Sequence, residues 1–173
     1  MEELASMPPE KLGAFCFRPM IGAYKEKMSV TELEDSAAVK EQFYNELTND
    51  QQALFSFFVY YYHAVDPLDE YFWWNAYFLA QPKIWSATKA ALNYFDDNVQ
   101  LQLLEKVEGV LLSWGQPTSL VDFHTKREDL AKHEEWLAAM SSCHLSFLEA
   151  APNSLRLIGA HILTRPESFF DWE

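Results

Sequence analysis

Residues 53–65, Ala-Leu-Phe-Ser-Phe-Phe-Val-Tyr-Tyr-Tyr-His-Ala-Val, and 66–78, Asp-Pro-Leu-Asp-Glu-Tyr-Phe-Trp-Trp-Asn-Ala-Tyr-Phe, read as two consecutive helices divided at Asp66-Pro67. Proline suits a first helical turn because its missing N–H would have no intrahelical partner there, and a preceding aspartate can cap. Phe55, Phe57, Phe58, Tyr60, Tyr61 and Tyr62 surround the first helix, and Tyr71, Phe72, Trp73, Trp74, Tyr77 and Phe78 surround the second. Helices apolar on every side must be central in the fold or lie at a subunit interface. That pair decides the reading: an all-α fold with the aromatic helices in the middle.

Working outward, the chain has only five glycines, no Asn-Gly or Asp-Gly hairpin signal, and prolines spaced as helix starts and stops. Residues 8–28 are expected to form one or two short helices interrupted at Pro19. Thr31 with Glu34 has capping-box spacing and predicts a helix over 32–47. Asn49 or Asp50 is expected to cap the helix over 51–65, and Pro82 to open one reaching Phe95. Asp97 or Asn98 should cap the next, whose Val99, Leu103, Val107, Val110, Leu111 and Trp114 form an apolar stripe ending at Gly115 and Pro117. Thr125 with Glu128 predicts a helix running to about Ala151 that buries Leu130, Leu137, Met140 and Phe147, and Pro152 should separate it from a last helix over 154–164. The expectation is a single-domain bundle of about seven to nine helices over 1–173, with no repeat and no linker.

Composition narrows the function. Of 173 residues, 49% are apolar and 16% aromatic, enough for a core without disulfides, and the two cysteines, Cys16 and Cys143, form no framework. Against 13 Lys and Arg stand 26 Asp and Glu, a formal charge of −13, which repels nucleic acid and anionic membrane and attracts a basic protein surface. Glu2 and Glu3 stand where a secretory signal would be basic, and no run is long and apolar enough to cross a bilayer, so a cytoplasmic protein is expected.

No chemical motif emerges. His63, His124, His133, His144 and His161 have no metal-ligand spacing and read as packing or surface residues, so neither a metal nor another cofactor is expected. Asp96-Asp97 is similar to half of a magnesium-binding aspartate motif but lacks the closing aspartate, and fits helix capping better. Cys143 and His144 are neighbours on a helix, about 100° apart, and do not face each other. A binding protein is expected and not an enzyme.

What remains is the charge distribution. Between Ser29 and Glu70 lie nine carboxylates, Glu32, Glu34, Asp35, Glu41, Glu46, Asp50, Asp66, Asp69 and Glu70, against Lys40 alone, a net −8 in 42 residues. Carboxylates three or four apart on a helix stand roughly 5–6 Å apart, close to the spacing of neighbouring phosphates on a nucleic-acid strand. These nine are the candidate partner-binding residues.

The run Phe55-Ser56-Phe57-Phe58-Val59-Tyr60-Tyr61-Tyr62, followed by Ala90-Ala91-Leu92-Asn93-Tyr94-Phe95, resembles bacterial DNA-mimic proteins, over about residues 50–114. Where that family commonly has Asn-Gly-Gly-Phe before the aromatic helix, this chain has Asp50-Gln51-Gln52-Ala53-Leu54-Phe55. The resemblance implies an acidic helical homodimer that occupies the DNA-binding surface of a helix-turn-helix transcription factor and so keeps it from DNA. The second reading is an acidic adaptor or immunity-type protein that binds a basic partner without imitating DNA, and the third is a small helical enzyme with an unrecognised carboxylate site. A homodimer is expected on a second ground as well, namely that a chain this short would struggle to cover two such aromatic helices.

Overall fold

A computed structural model describes residues 6–32 and 36–170, and among them no strand occurs. The helices are α1 (Pro9–Ser29), α2 (Ser36–Glu46), α3 (Asn49–Ala64), α4 (Leu68–Leu79), α5 (Pro82–Tyr94), α6 (Asn98–Ser113), α7 (Glu134–Thr164) and the single turn α8 (Glu167–Phe170). Two 3-10 turns, Leu120–Asp122 and Arg127–Lys132, lie between α6 and α7. The all-α bundle expected from the sequence is what the chain forms.

The aromatic pair is central. Helix α3 packs against α1, α4, α5, α7 and α8, and α4 against α3, α5, α6, α7 and the second 3-10 turn. Phe57, Phe58, Tyr60, Tyr71, Phe72 and Phe78 are all buried in the core of this one chain. Trp73 and Tyr77 on the outer side of α4 are covered by the connection after α6. Phe123 meets the two rings at 5.9 and 5.5 Å, and Trp73 Nε1 donates to the Thr125 carbonyl at 3.0 Å. Most of these rings are thus covered within one chain, while Tyr62 on α3 stays 46% exposed.

Several helix boundaries differ from expectation. Pro19 and Pro152 interrupt nothing: α1 runs for 21 residues and α7 for 31 with a proline inside each. Both prolines are exposed, so each lost hydrogen bond falls on the solvent side where water can satisfy the carbonyl. The core faces, Leu12, Cys16, Phe17 and Met20 on α1 and Phe147, Ala151, Ser154 and Ile158 on α7, hold both halves in one line.

The caps shift as well. Thr31 does not open α2, because its hydroxyl donates back to the Lys27 carbonyl at 2.6 Å, and Glu34 lies outside the described residues. Helix α3 is capped by Thr48 in a complete box with Gln51, and not by Asn49 or Asp50. Pro67, one residue after Asp66, occupies the cap position of α4 without a side-chain bond. Asp97 does cap α6, accepting from Gln100 N at 3.1 Å. Thr125 donates to Gln116 instead of opening a helix, and only the 3-10 turn at Arg127 follows it. The buried face of α6 is Gln100, Leu104, Val107 and Leu111, leaving Val99 60% exposed, and Leu137 on α7 is 41% exposed.

Candidate acidic interface

Seven of the nine nominated carboxylates lie in the described residues; Glu34 and Asp35 fall outside them. The structure does not present the seven as one free array. Glu41 on α2 pairs with Lys83 on α5 at 2.7 Å, and Glu46 at the end of α2 pairs with Lys27 of α1. That pairing, helped by Gln42 at 2.9 Å, holds the Glu46 carboxyl below the usual range. Asp50 accepts from the Tyr94 hydroxyl and lies 3.5 Å from Arg165, which itself donates to Tyr94 at 2.9 Å. These three carboxylates fasten α2 to α1 and α5, and α3 to the end of α7.

Glu70, in the first turn of α4, takes Arg127 at two points, its Oε2 accepting from Nη2 at 2.9 Å and its Oε1 from Nε. The guanidinium lies 4.2 Å from the Trp73 ring. This combination of a two-point carboxylate and an aromatic face is how arginine is held most specifically. The pairing with Arg127 lowers the Glu70 carboxyl and raises the arginine, and Asp69 and Glu128 add their fields to the arginine. Asp69 and Glu128 are exposed. Asp69, Glu70 and Glu128 therefore share one neighbourhood, assembled from α4 and the second 3-10 turn. Glu128 was not among the nominated residues because it lies 58 positions after Glu70 and outside the acidic stretch. Asp66 is half-buried between α3 and α4, and Glu32 is exposed after α1.

Among the described residues no three His, Cys, Asp or Glu side chains group as ligands for a metal ion. Both thiols are buried, which pushes Cys16 up to about 12 and raises Cys143, so neither is poised as a nucleophile. A surface depression of about 280 Å³ lies between α1, α3 and α7, lined by Tyr61, Val65, Leu148 and Leu155 together with Glu10 and Arg156. No helix of the described residues is long and apolar enough to cross a membrane.

Two histidines tie this region to pH. His63 stacks on Trp74 with ring centres 3.6 Å apart, and burial lowers its pKa against the opposing pull of Asp66 and Glu70. His144 stacks on Tyr71 at 4.6 Å and is lowered by burial too. An unfolded imidazole titrates near 6.5, so below that pH the unfolded chain binds more protons than the folded one. The stability these residues contribute is present above pH ~6.5 and lost as pH falls toward the folded values. Urea midpoints between neutral and mildly acidic pH should drop less for the His63→Gln, His144→Gln double variant than for wild type, and parallel profiles would refute the assignment.

Compared with known protein families, characterised proteins and solved structures, the chain matches none.

Proposed function

We propose that the chain is a cytoplasmic DNA mimic, an acidic helical protein whose carboxylates occupy the DNA-binding face of another protein, such as a helix-turn-helix transcription factor, and keep it from DNA. The observation that supports this reading is the treatment of Arg127. Glu70 grips it at two points beside Asp69 and Glu128. A DNA-binding protein presents the same guanidinium groups to phosphates, which hold them through paired anionic oxygens. The proposal involves no catalysis, metal or cofactor.

A second reading has an observation of its own. Because Glu41, Glu46, Asp50 and Glu70 are already paired within the chain, the described residues of the acidic stretch offer no evenly spaced row of free charges. That favours an adaptor that binds a basic surface without copying DNA.

Competition separates the two. A partner captured on the full-length chain should be released by duplex DNA carrying that partner's site, and binding should weaken steeply with salt. Removing charge at Glu32, Asp66, Asp69 and Glu128 by Gln or Asn substitution should weaken binding by about tenfold or more, mainly through slower association. If partner, chain and duplex DNA bind together without competition, mimicry is wrong and the adaptor reading replaces it.

A further inference from the structure

Residues 114–133 join α6 to α7, although these two helices pack directly against each other. Helices so paired need only about 2–8 residues between them. The excess is not left in solvent. From Phe123 to Arg127 it lies along the outer side of α4, with Phe123, Thr125 and Arg127 half-buried and His124 and Lys126 exposed. Phe123 and Lys126 have extended backbone, with φ and ψ of −80° and 108° and of −116° and 156°. Burial at every second residue marks an extended chain laid on a surface.

The surface it meets is a stripe on α4. Glu70, Trp73 and Tyr77 stand three and four residues apart and share one side of the helix. The stripe is about 10 Å long and the stretch from Phe123 to Arg127 about 13 Å, so the two match in length and run antiparallel. At one end Phe123 meets the Tyr77 and Trp73 rings edge-on at 5.5 and 5.9 Å, against a platform already formed by those two rings, which stack 4.9 Å apart. In the middle Trp73 Nε1 donates to the Thr125 carbonyl at 3.0 Å. At the other end Arg127 reaches both Glu70 oxygens and lies over the Trp73 ring. Side chain, backbone and charge are thus each read by a different group, as in the recognition of a bound peptide.

We propose that this stripe of α4 is a peptide-binding site whose ligand is an extended segment with an aromatic residue four places before an arginine, occupied in cis by the chain's own connection until a partner's segment displaces it. The connection is built to lift. Leu130, 2% exposed, anchors the second 3-10 turn against α4 and α7 and can stay in place when the residues before it leave. Leu120 and Val121, 47% and 85% exposed, do little to hold the segment down. The Arg127 and Glu70 side chains keep 38% and 29% of their surface in water. Contacts as exposed as these open locally well below the cost of unfolding the domain. Lysine in place of the ligand's arginine would lose the two-point contact and the ring face together. The inference does not rest on the proposed function, and it holds whether or not the partner binds DNA.

The probe is the chain's own segment, a blocked and fluorescently labelled peptide of residues 119–130. Its Asp122, Glu128 and Asp129 against Lys126 and Arg127 give a net charge of −1, so attraction to a body of −13 cannot drive its binding. In wild type the attached segment competes at an effective concentration on the order of millimolar. The full-length Phe123→Ala, Arg127→Gln variant leaves the stripe open, and anisotropy should show it binding the peptide at least tenfold more tightly than wild type does. Replacing the peptide's Phe by Ala or its Arg by Gln, or adding Glu70→Gln to the open variant, should each weaken binding at least tenfold. Should the double variant fail to fold by circular dichroism, Arg127→Gln alone alters only a half-exposed side chain and carries the same expectation. A folded open variant that binds the peptide no better than wild type would overturn the proposal, as would equal binding of a scrambled peptide.

Discussion

Gly159→Ala should unfold at a much lower urea concentration than wild type, with a loss of about 3 kcal/mol or more. Helix α7 passes α1 so closely at this point that a methyl group on residue 159 would run into the Pro9 carbonyl and stand 2.8 Å from Pro9 Cα. These are backbone atoms at the start of a helix and cannot rotate aside as a side-chain tip does. The two helices must part, and the buried residues that flank the contact in sequence, Leu12 on α1 and Ile158 and Ile162 on α7, lose packing together. Gly22 and Gly109 are helical glycines with nothing within 4 Å, and Ala there should stabilise by about 0.5–1 kcal/mol through helix propensity alone. The same substitution should thus change sign with position. A loss at Gly159 no larger than about 1 kcal/mol would show that α1 slides without cost to the core.

Phe58→Ala should cost about 3–5 kcal/mol, the range for removing a large aromatic from a closed core. Phe58 is 1% exposed and meets Phe17 at 5.2 Å, Phe57 at 5.1 Å and Tyr61 at 5.8 Å. Its ring edge rests in the space left by Gly13, where an added methyl would come within 2.8 Å of it and 2.9 Å of Ile158. Gly13→Ala should therefore destabilise the protein by about 1–3 kcal/mol through overpacking. In the Phe58→Ala background the added methyl enters vacated space, so the double variant should be more stable than the two single losses predict by about 1 kcal/mol or more. Additive losses in urea titrations would mean that Gly13 and Phe58 do not share this space.

The aromatic run was legible because its meaning depends on residue type alone. Of the twelve aromatic side chains within 24 residues, Phe57, Phe58, Tyr60, Tyr71, Phe72 and Phe78 are buried in the core and only Tyr62 is exposed. The prolines at 19 and 152 misled, since proline breaks an isolated helix but not one clamped along its buried side by other elements. The carboxylates were legible as a count and not as a surface. Local sequence shows Glu41, Glu46, Asp50 and Glu70 with almost no base nearby, while their partners Lys83, Lys27, Arg165 and Arg127 come from 19 to 115 residues away. Such pairings are set by tertiary packing, which no periodicity encodes. The same distance hides the grouping of Glu128 with Asp69 and Glu70.

The internal cations Lys27, Lys83, Arg127 and Arg165 make the acidic surface an ion exchanger with its counter-ions already loaded. A visiting lysine on a flexible tail that displaces one of them trades one contact for an equivalent one and gains nothing from the exchange. A rigid visitor carrying several guanidinium groups gains from the second displacement onward, because the first fixes the others at high effective concentration. Under the proposed function such a surface would discriminate by valency and rigidity, and its selectivity would reside in the four cations as much as in the carboxylates they cover.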